Sequence, residues 1–131
     1  MEKYGLLGKK AVAVIDYKFD EKYLQTENQA YHNDRVMRKM ISLFERYFGK
    51  INYLNQYNRQ AFIISADNTE EKDIVNTIRT IYNIFIKENK HVHVRIGIGE
   101  IAQGLEGLKK SYDQSRIARK TINKSGVMFY K

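Results

Sequence analysis

Two histidines stand two residues apart in His91-Val-His93. On a strand that spacing puts both imidazoles on one face, an arrangement that suits a zinc ion. No third ligand adjoins them, and His32 would have to reach the pair through the fold. The plainer reading is structural or surface histidines, so no metal is expected. Gly97-x-Gly99 follows on the same run. It is too short for a dinucleotide fingerprint, and tight backbone packing at a strand end accounts for it. The chain has no Gly-x-Ser-x-Gly elbow, no phosphate-cradling Walker loop and no His-Glu-x-x-His helix. Cysteine is absent, which excludes disulfides, thiolate metal sites and cysteine nucleophiles. Lys and Arg number 23 against 15 Asp and Glu, and the net charge of +8 favours anionic partners. The densest basic clusters, Arg35 to Lys39 and Lys109 to Lys120, fall in helical patterns and read as solvated faces. Tyrosines interleaved with basic residues suit base stacking. Tyr47, Tyr82 and Tyr112 nevertheless recur in helical stripes and read as core, and no RNA-binding motif accompanies them.

The elements that must position these residues follow from periodicity. The chain has 131 residues, one domain's worth, and is 43% apolar, enough for a core without staples. No apolar run approaches the roughly 20 residues of a membrane span, and the first residues lack the apolar centre of a signal peptide. A soluble, cytoplasmic domain without membrane contact is expected. Ala11–Ile15 reads as a buried strand ending at Asp16. A polar stretch from Lys18 to Tyr31 follows, with weak helical character at Glu21-Lys-Tyr-Leu24. His32-Asn-Asp34 opens a helix capped by Asn33 or Asp34, with Val36, Met37, Met40, Ile41, Phe44, Tyr47 and Phe48 at helical spacing and Gly49 as its left-handed end. Ile51–Tyr57 and Gln60–Ala66 form a hairpin about Asn58-Arg59, Asn58 being the residue that tolerates positive φ. Asp67-Asn-Thr69 caps a second helix whose stripe is Ile74, Val75, Ile78, Ile81, Tyr82 and Phe85. His91–Ile98 is a strand, Leu105–Ile122 a helix and Val127–Tyr130 a closing strand. The order β-α-β-β-α-β-α-β predicts an α+β fold with a ferredoxin-like βαββαβ core. Its five-stranded sheet is mixed and largely antiparallel, with helices packed on it.

One long stretch carries a resemblance: Gly97-Ile-Gly-Glu-Ile-Ala-Gln-Gly-Leu-Glu-Gly-Leu-Lys-Lys-Ser-Tyr-Asp-Gln-Ser-Arg-Ile-Ala118. It resembles the GGDEF-like domain of bacterial transcription regulators of the PucR and CdaR type, related to domains in some AraC-type response regulators. The family pattern is Ile-Gly-Ile-Gly, Gly-Leu-(Glu)-Gly-Leu, then Ser-Tyr-x-(Glu/Gln)-(Ala/Ser)-Arg-x-Ala. Gly126-Val-Met-Phe-Tyr130 is similar to its closing Gly-Val-Val-Phe-Tyr. Asn33-Asp34-Arg35-Val36-Met37 resembles the Gly-Asp-x-Val-Leu of the wider diguanylate cyclase architecture. Tyr57-Asn58-Arg59-Gln60-Ala61-Phe62 falls on the hairpin Tyr-Gly-Gly-Asp-Glu-Phe, and Ala11–Asp16 on the strand whose Asp binds metal. The resemblance covers about residues 10–131 and implies a GGDEF or nucleotidyl-cyclase palm.

The resemblance also implies how the chain departs from an enzyme. A diguanylate cyclase joins two GTP molecules with two metal ions held by carboxylates of the first strand and the hairpin. Asp16 falls near the first of these. The hairpin's acidic positions are Gln60 and Ala61, and its two glycines are Asn58 and Arg59. The expectation is therefore no enzyme, no cofactor and no catalytic residue, with Asn58, Arg59, Gln60, Ala61 and Phe62 a degenerate signature. The inhibitory Arg-x-x-Asp of true cyclases falls on Gly49 and Asn52 and is absent; their late Lys falls on Asn123, beside Lys124. The implied role is a non-catalytic regulatory module, a piece of a larger regulator. It would relay signal or mediate dimerisation between a sensor and a helix-turn-helix, and DNA would be met only through that module, which is absent from this sequence. One alternative is a sensor binding a nucleotide or small ligand through Asp16, Asp34, Asn58 and Arg59. The other is residual cyclase or GTP-hydrolysing chemistry with metal on Asp16 and Asp20.

Overall fold

The apolar run that starts at Ala11 does not stop at Asp16. In the computed structural model, which describes residues 8–20 and 29–131, β1 runs Lys9–Phe19 as the central strand. After it come α1 (Gln29–Phe48), β2 (Asn52–Gln56), β3 (Arg59–Ser65) and α2 (Glu71–Glu88). Then follow β4 (Val92–Ile98), β5 (Ala102–Gln103), α3 (Gly104–Lys120) and β6 (Gly126–Phe129). The sheet order is β2-β3-β1-β4-β6, with β5 beside the start of β1. Every pairing is antiparallel except β4 with β6. The expected palm-like α+β fold is present. The sheet has six strands and not five, because Ala102 and Gln103 pair with Lys10 and Lys9. The segment Glu21–Leu24 lies outside the described residues.

Strand alternation divides the sheet into two unlike faces. Ala11, Ala13, Ile15, Tyr17 and Phe19 of β1 join Phe62 and Ile64 of β3 and Val92, Val94, Ile96 and Ile98 of β4 in one buried core. α1 covers it with Val36, Met37, Met40 and Phe44, and α2 with Ile74, Ile78, Ile81 and Phe85. Among the described residues the opposite face is covered by α3 alone, at the end of the sheet that carries Val12, Val14, Gly97 and Gly99. α3 turns small and polar residues inward: Ser111, Gln114, Ser115, Ala118 and Arg119 are buried. Ser111 Oγ accepts the Val12 amide at 3.0 Å. That helix lies unusually close to the strands, and Gly97 and Gly99 lack the side chains that would hold it off.

Several local expectations shift. α1 begins at Gln29, so His32, Asn33 and Asp34 are helical and do not cap it. Asn33 is 3% exposed, and its amide makes no hydrogen bond. The hairpin turn is centred on Tyr57-Asn58, with Gln56 paired to Arg59, one residue earlier than expected. Tyr57 takes the positive φ, at 47°. This frees Asn58 to continue the ladder: its carbonyl accepts the Tyr17 amide and its side chain donates to the Tyr17 carbonyl, both at 3.1 Å. α2 starts after Glu70 without a side-chain cap, because Asp67 instead accepts the Lys9 amide at 3.0 Å. Gly49 ends α1 at φ 78° as expected. Tyr47 and Tyr112 are exposed and not core, while Tyr82 is half-buried with its hydroxyl 2.6 Å from Ser125 Oγ. Among the described residues no helix is long and apolar enough to cross a membrane.

Candidate functional site

Because β1 extends beyond Asp16, this carboxylate sits in mid-ladder. It stands opposite Arg59 on β3 and Arg95 on β4. Directly opposed residues share a face, so all three belong to the α3 side. Asp16 is 7% exposed. Arg95 grips it as a fork: Nε donates to Oδ1 at 3.0 Å and Nη2 to Oδ2 at 2.5 Å. Arg119 reaches down from α3, its Nε 3.5 Å from Oδ2. The hydrogen bond to Asp16 is the main reason the Arg95 guanidinium is raised above its ordinary value, burial opposing it. Arg119 moves the other way: burial lowers it, Asp16 opposes that, and the neighbouring Arg59, Arg95 and Arg116 push it further down.

Past the end of α3 the same face opens as a cleft of about 830 Å³. Its wall includes Asp16, Lys18, Asp20, Asn58, Arg59, His93, Arg95, Asn123 and Lys124. Asp16, Asn58, Arg59, Asn123 and Lys124, singled out from the sequence, are thus brought together. Asp34 is not among the lining residues; it is solvent-exposed on α1, 2.8 Å from Arg38 Nη2 one turn on. His93 and His91 meet Asp20, at 2.7 Å and 3.9 Å, so an acid adjoins the pair. His32 lies buried on α1 against the rings of Phe19 and Tyr31.

The hairpin signature is divided between the two faces. Arg59 and Ala61 lie on the cleft side, Gln60 and Phe62 on the core side. Gln60 is 2% exposed and fully used: Tyr17 donates its hydroxyl to Oε1, and Nε2 donates to the Met37 carbonyl at 2.9 Å and to Asn55 Oδ1 at 3.0 Å. Phe62 stacks on Phe44 with ring centroids 4.1 Å apart, a pair worth about 1 kcal/mol beyond its area. The residues do not fit a pair of divalent cations. Both Asp16 oxygens face guanidinium groups, Gln60 points into the core and Ala61 has no oxygen to offer. Among the described residues no three His, Asp or Glu side chains are grouped to hold a metal.

Burial, and behind it the charge of Asp16, raises the Tyr17 phenol well above its ordinary value. In the unfolded chain this group ionises near pH 10, by general reference values. Its stabilisation is therefore complete below about pH 10 and is lost as pH rises further. Thermal midpoints measured from pH 8 to 11 should fall more steeply for the wild type than for Tyr17→Phe. Equal slopes would show that this phenol is not held neutral by the fold.

Sequence reasoning missed Arg95 and Arg119. Arg95 had a signal: it is the lone strong cation in the run Val92–Ile98, on the same alternation as His93. Arg119 had none, since its inward orientation depends on how α3 seats against Gly97.

No curated protein matches the chain. Among solved structures it resembles the guanylyl cyclase domain of the RhoGC fusion protein from the aquatic fungus Blastocladiella emersonii. That likeness has a TM-score of 0.61 at 9% identity, over 94% of this chain and 81% of that one. The guanylate cyclase domain of RhGC from Catenaria anguillulae gives a TM-score of 0.58 at 8% identity, over 94% and 78%. An EAL/GGDEF domain protein from M. capsulatus gives 0.56 at 11%, over 99% and 88%. At such identities these structures establish a cyclase palm fold and nothing about chemistry. The sequence match is more specific, because the GGDEF-like domain pattern aligns with residues 4–121, through β1, the altered hairpin and α3. The chain belongs to the GGDEF-like domain family.

Proposed function

We propose that the domain is a non-catalytic regulatory module of a bacterial transcription regulator of the PucR/CdaR or AraC type. It relays signal or mediates dimerisation between a sensor and a helix-turn-helix module in the parent chain. The observation that carries this reading is the occupation of Asp16 by Arg95 and Arg119. Two-metal phosphoryl chemistry needs carboxylates free to coordinate on the cleft side, and here the central one already neutralises guanidinium groups. The output of such a module is a change in domain packing, set by which arrangement a signal favours.

The test is incubation of the purified domain with millimolar GTP and Mg²⁺, followed by chromatography of the nucleotides. The expected result is unchanged GTP. A cyclic or hydrolysed product that disappears in Asp16→Ala, with the variant still folded, would overturn the proposal.

A further inference from the structure

The sheet ends on two unlike edges. β6 is flanked by Lys124 and Lys131, and lysines beside an edge discourage the addition of a further strand. β2 has no such protection. Ile51–Asn58 is the longest run without a charged side chain in a chain of net charge +8. The strand contains no proline, and its pairing with β3 runs unbroken from Asn52 to Gln56 without a bulge. All its residues are exposed, Leu54 at 70%. Among the described residues no strand lies beyond it.

The ladder fixes which main-chain groups point outward. Tyr17 donates its amide to the Asn58 carbonyl, so by alternation Gln60 and Phe62 bond to β1, while Arg59, Ala61 and Ile63 bond to β2. Their partners on β2 are Gln56, Leu54 and Asn52. The intervening residues, Tyr53 and Asn55, therefore turn their N–H and C=O groups away from the sheet. Such an edge is complementary to itself. When two copies lie antiparallel about Leu54, Tyr53 of each exchanges both main-chain bonds with Asn55 of the other. Leu54 then faces Leu54 across a non-hydrogen-bonded pair, where side chains come closest. Self-pairing would set a charged residue at this centre against its own kind. Here the centre is leucine, and Lys50, the nearest cation before the strand, falls opposite Asn58 of the second copy.

We infer that β2 is a homodimerisation edge: two copies of this chain pair their β2 strands antiparallel about Leu54 and join their sheets. The inference rests on the dimerising form of the proposed role and names the surface that performs it. Pairing consumes the β2 edge of both copies, and the lysine-flanked β6 does not extend the sheet, so association closes at two. The altered hairpin then lies beside the two-fold axis, a structural use for a segment with no acid at Gln60 or Ala61. The contact is small, so a dissociation constant of about 10–100 μM is expected.

Sedimentation of the chain from about 1 μM to about 1 mM brackets that affinity, and the mass should rise from 15.5 kDa towards twice that value. Leu54→Lys sets two ammonium groups against each other at the axis. It should weaken the dimer about 10-fold or more, with circular dichroism confirming that the fold is kept. Leu54→Cys introduces a single thiol into a chain that has none. A non-hydrogen-bonded pair holds its Cα atoms about 4.5 Å apart, within reach of a disulfide. On mild oxidation this variant should cross-link to a dimer, whereas Lys87→Cys, on the exposed side of α2, should stay largely monomeric. A monomer at every concentration, species larger than two, or equal cross-linking of both cysteine variants would overturn the edge. A dimer that Leu54→Lys leaves intact would overturn the edge and keep the dimerising role. GTP turnover would overturn the non-catalytic role and keep the edge, so the failures are distinguishable.

Discussion

Replacing Gly97 by alanine is expected to lower the thermal midpoint by about 10 °C or more. A Cβ there would stand well under 3 Å from the Ser115 carbonyl oxygen and the Arg119 amide nitrogen. Both are backbone atoms of α3, which cannot swing aside as a flexible side chain does. Overpacking ordinarily costs about 1–3 kcal/mol, and the cost rises when main chain must move, so about 3 kcal/mol or more is expected. Gly49→Ala is the matched control. Its Cβ would meet open space, and only the positive φ of 78° is strained, for about 1 kcal/mol. Thermal denaturation followed by circular dichroism separates the two. A Gly97→Ala loss no larger than that of Gly49→Ala would show that α3 does not lie so close to β4. The same contact carries the site, because it is the seating of α3 that aims Arg119 at Asp16.

Asp16→Ala is expected to destabilise the domain by about 3–5 kcal/mol. Removing one partner of a buried ion pair leaves the other charge without compensation. Here two are left, Arg119 at 2% exposure and Arg95 in its emptied fork. Asp16→Ala/Arg119→Met should recover part of the loss, since the double change removes the buried charge together with its counter-ion. Chemical denaturation of the wild type and of the two variants reads this directly. The sign matters for function. Carboxylates kept for catalysis are commonly held at a cost to stability, and their removal often stabilises a protein. A stability equal to or above wild type in Asp16→Ala would identify Asp16 as such a residue and count against a structural ion pair.

Much of the fold was legible along the chain because it is written in short-range periodicity. The stripe from Val36 to Phe48 and that from Ile74 to Phe85 are amphipathic over several turns, and both helices lie where they were expected. The hairpin was legible as two strand-like runs about a polar turn. Its centre was not: Asn58 is the better residue for positive φ, but Tyr57 takes it. Pairing of Asn58 with Tyr17 outweighs a local preference worth about 1 kcal/mol. Asp67 likewise reads as a helix cap until β1 offers it the Lys9 amide. In each case a partner distant in sequence outcompetes a local one.

The sequence by itself determined the family, the order of the elements apart from the short β5, and the loss of acids at Gln60 and Ala61. These are properties of residue type and spacing and need no third dimension. Only the tertiary structure decided what the altered site became. A one-residue slip in the pairing of β1 with β3 and β4 would reverse which face a side chain occupies. That register sends Gln60 into the core beneath Tyr17 and puts Arg59 and Arg95 on either side of Asp16. Asp16 and Arg95 are 79 residues apart in the chain. No local pattern encodes such a pair, because its energy exists only once two strands and a closely seated helix have excluded water from it.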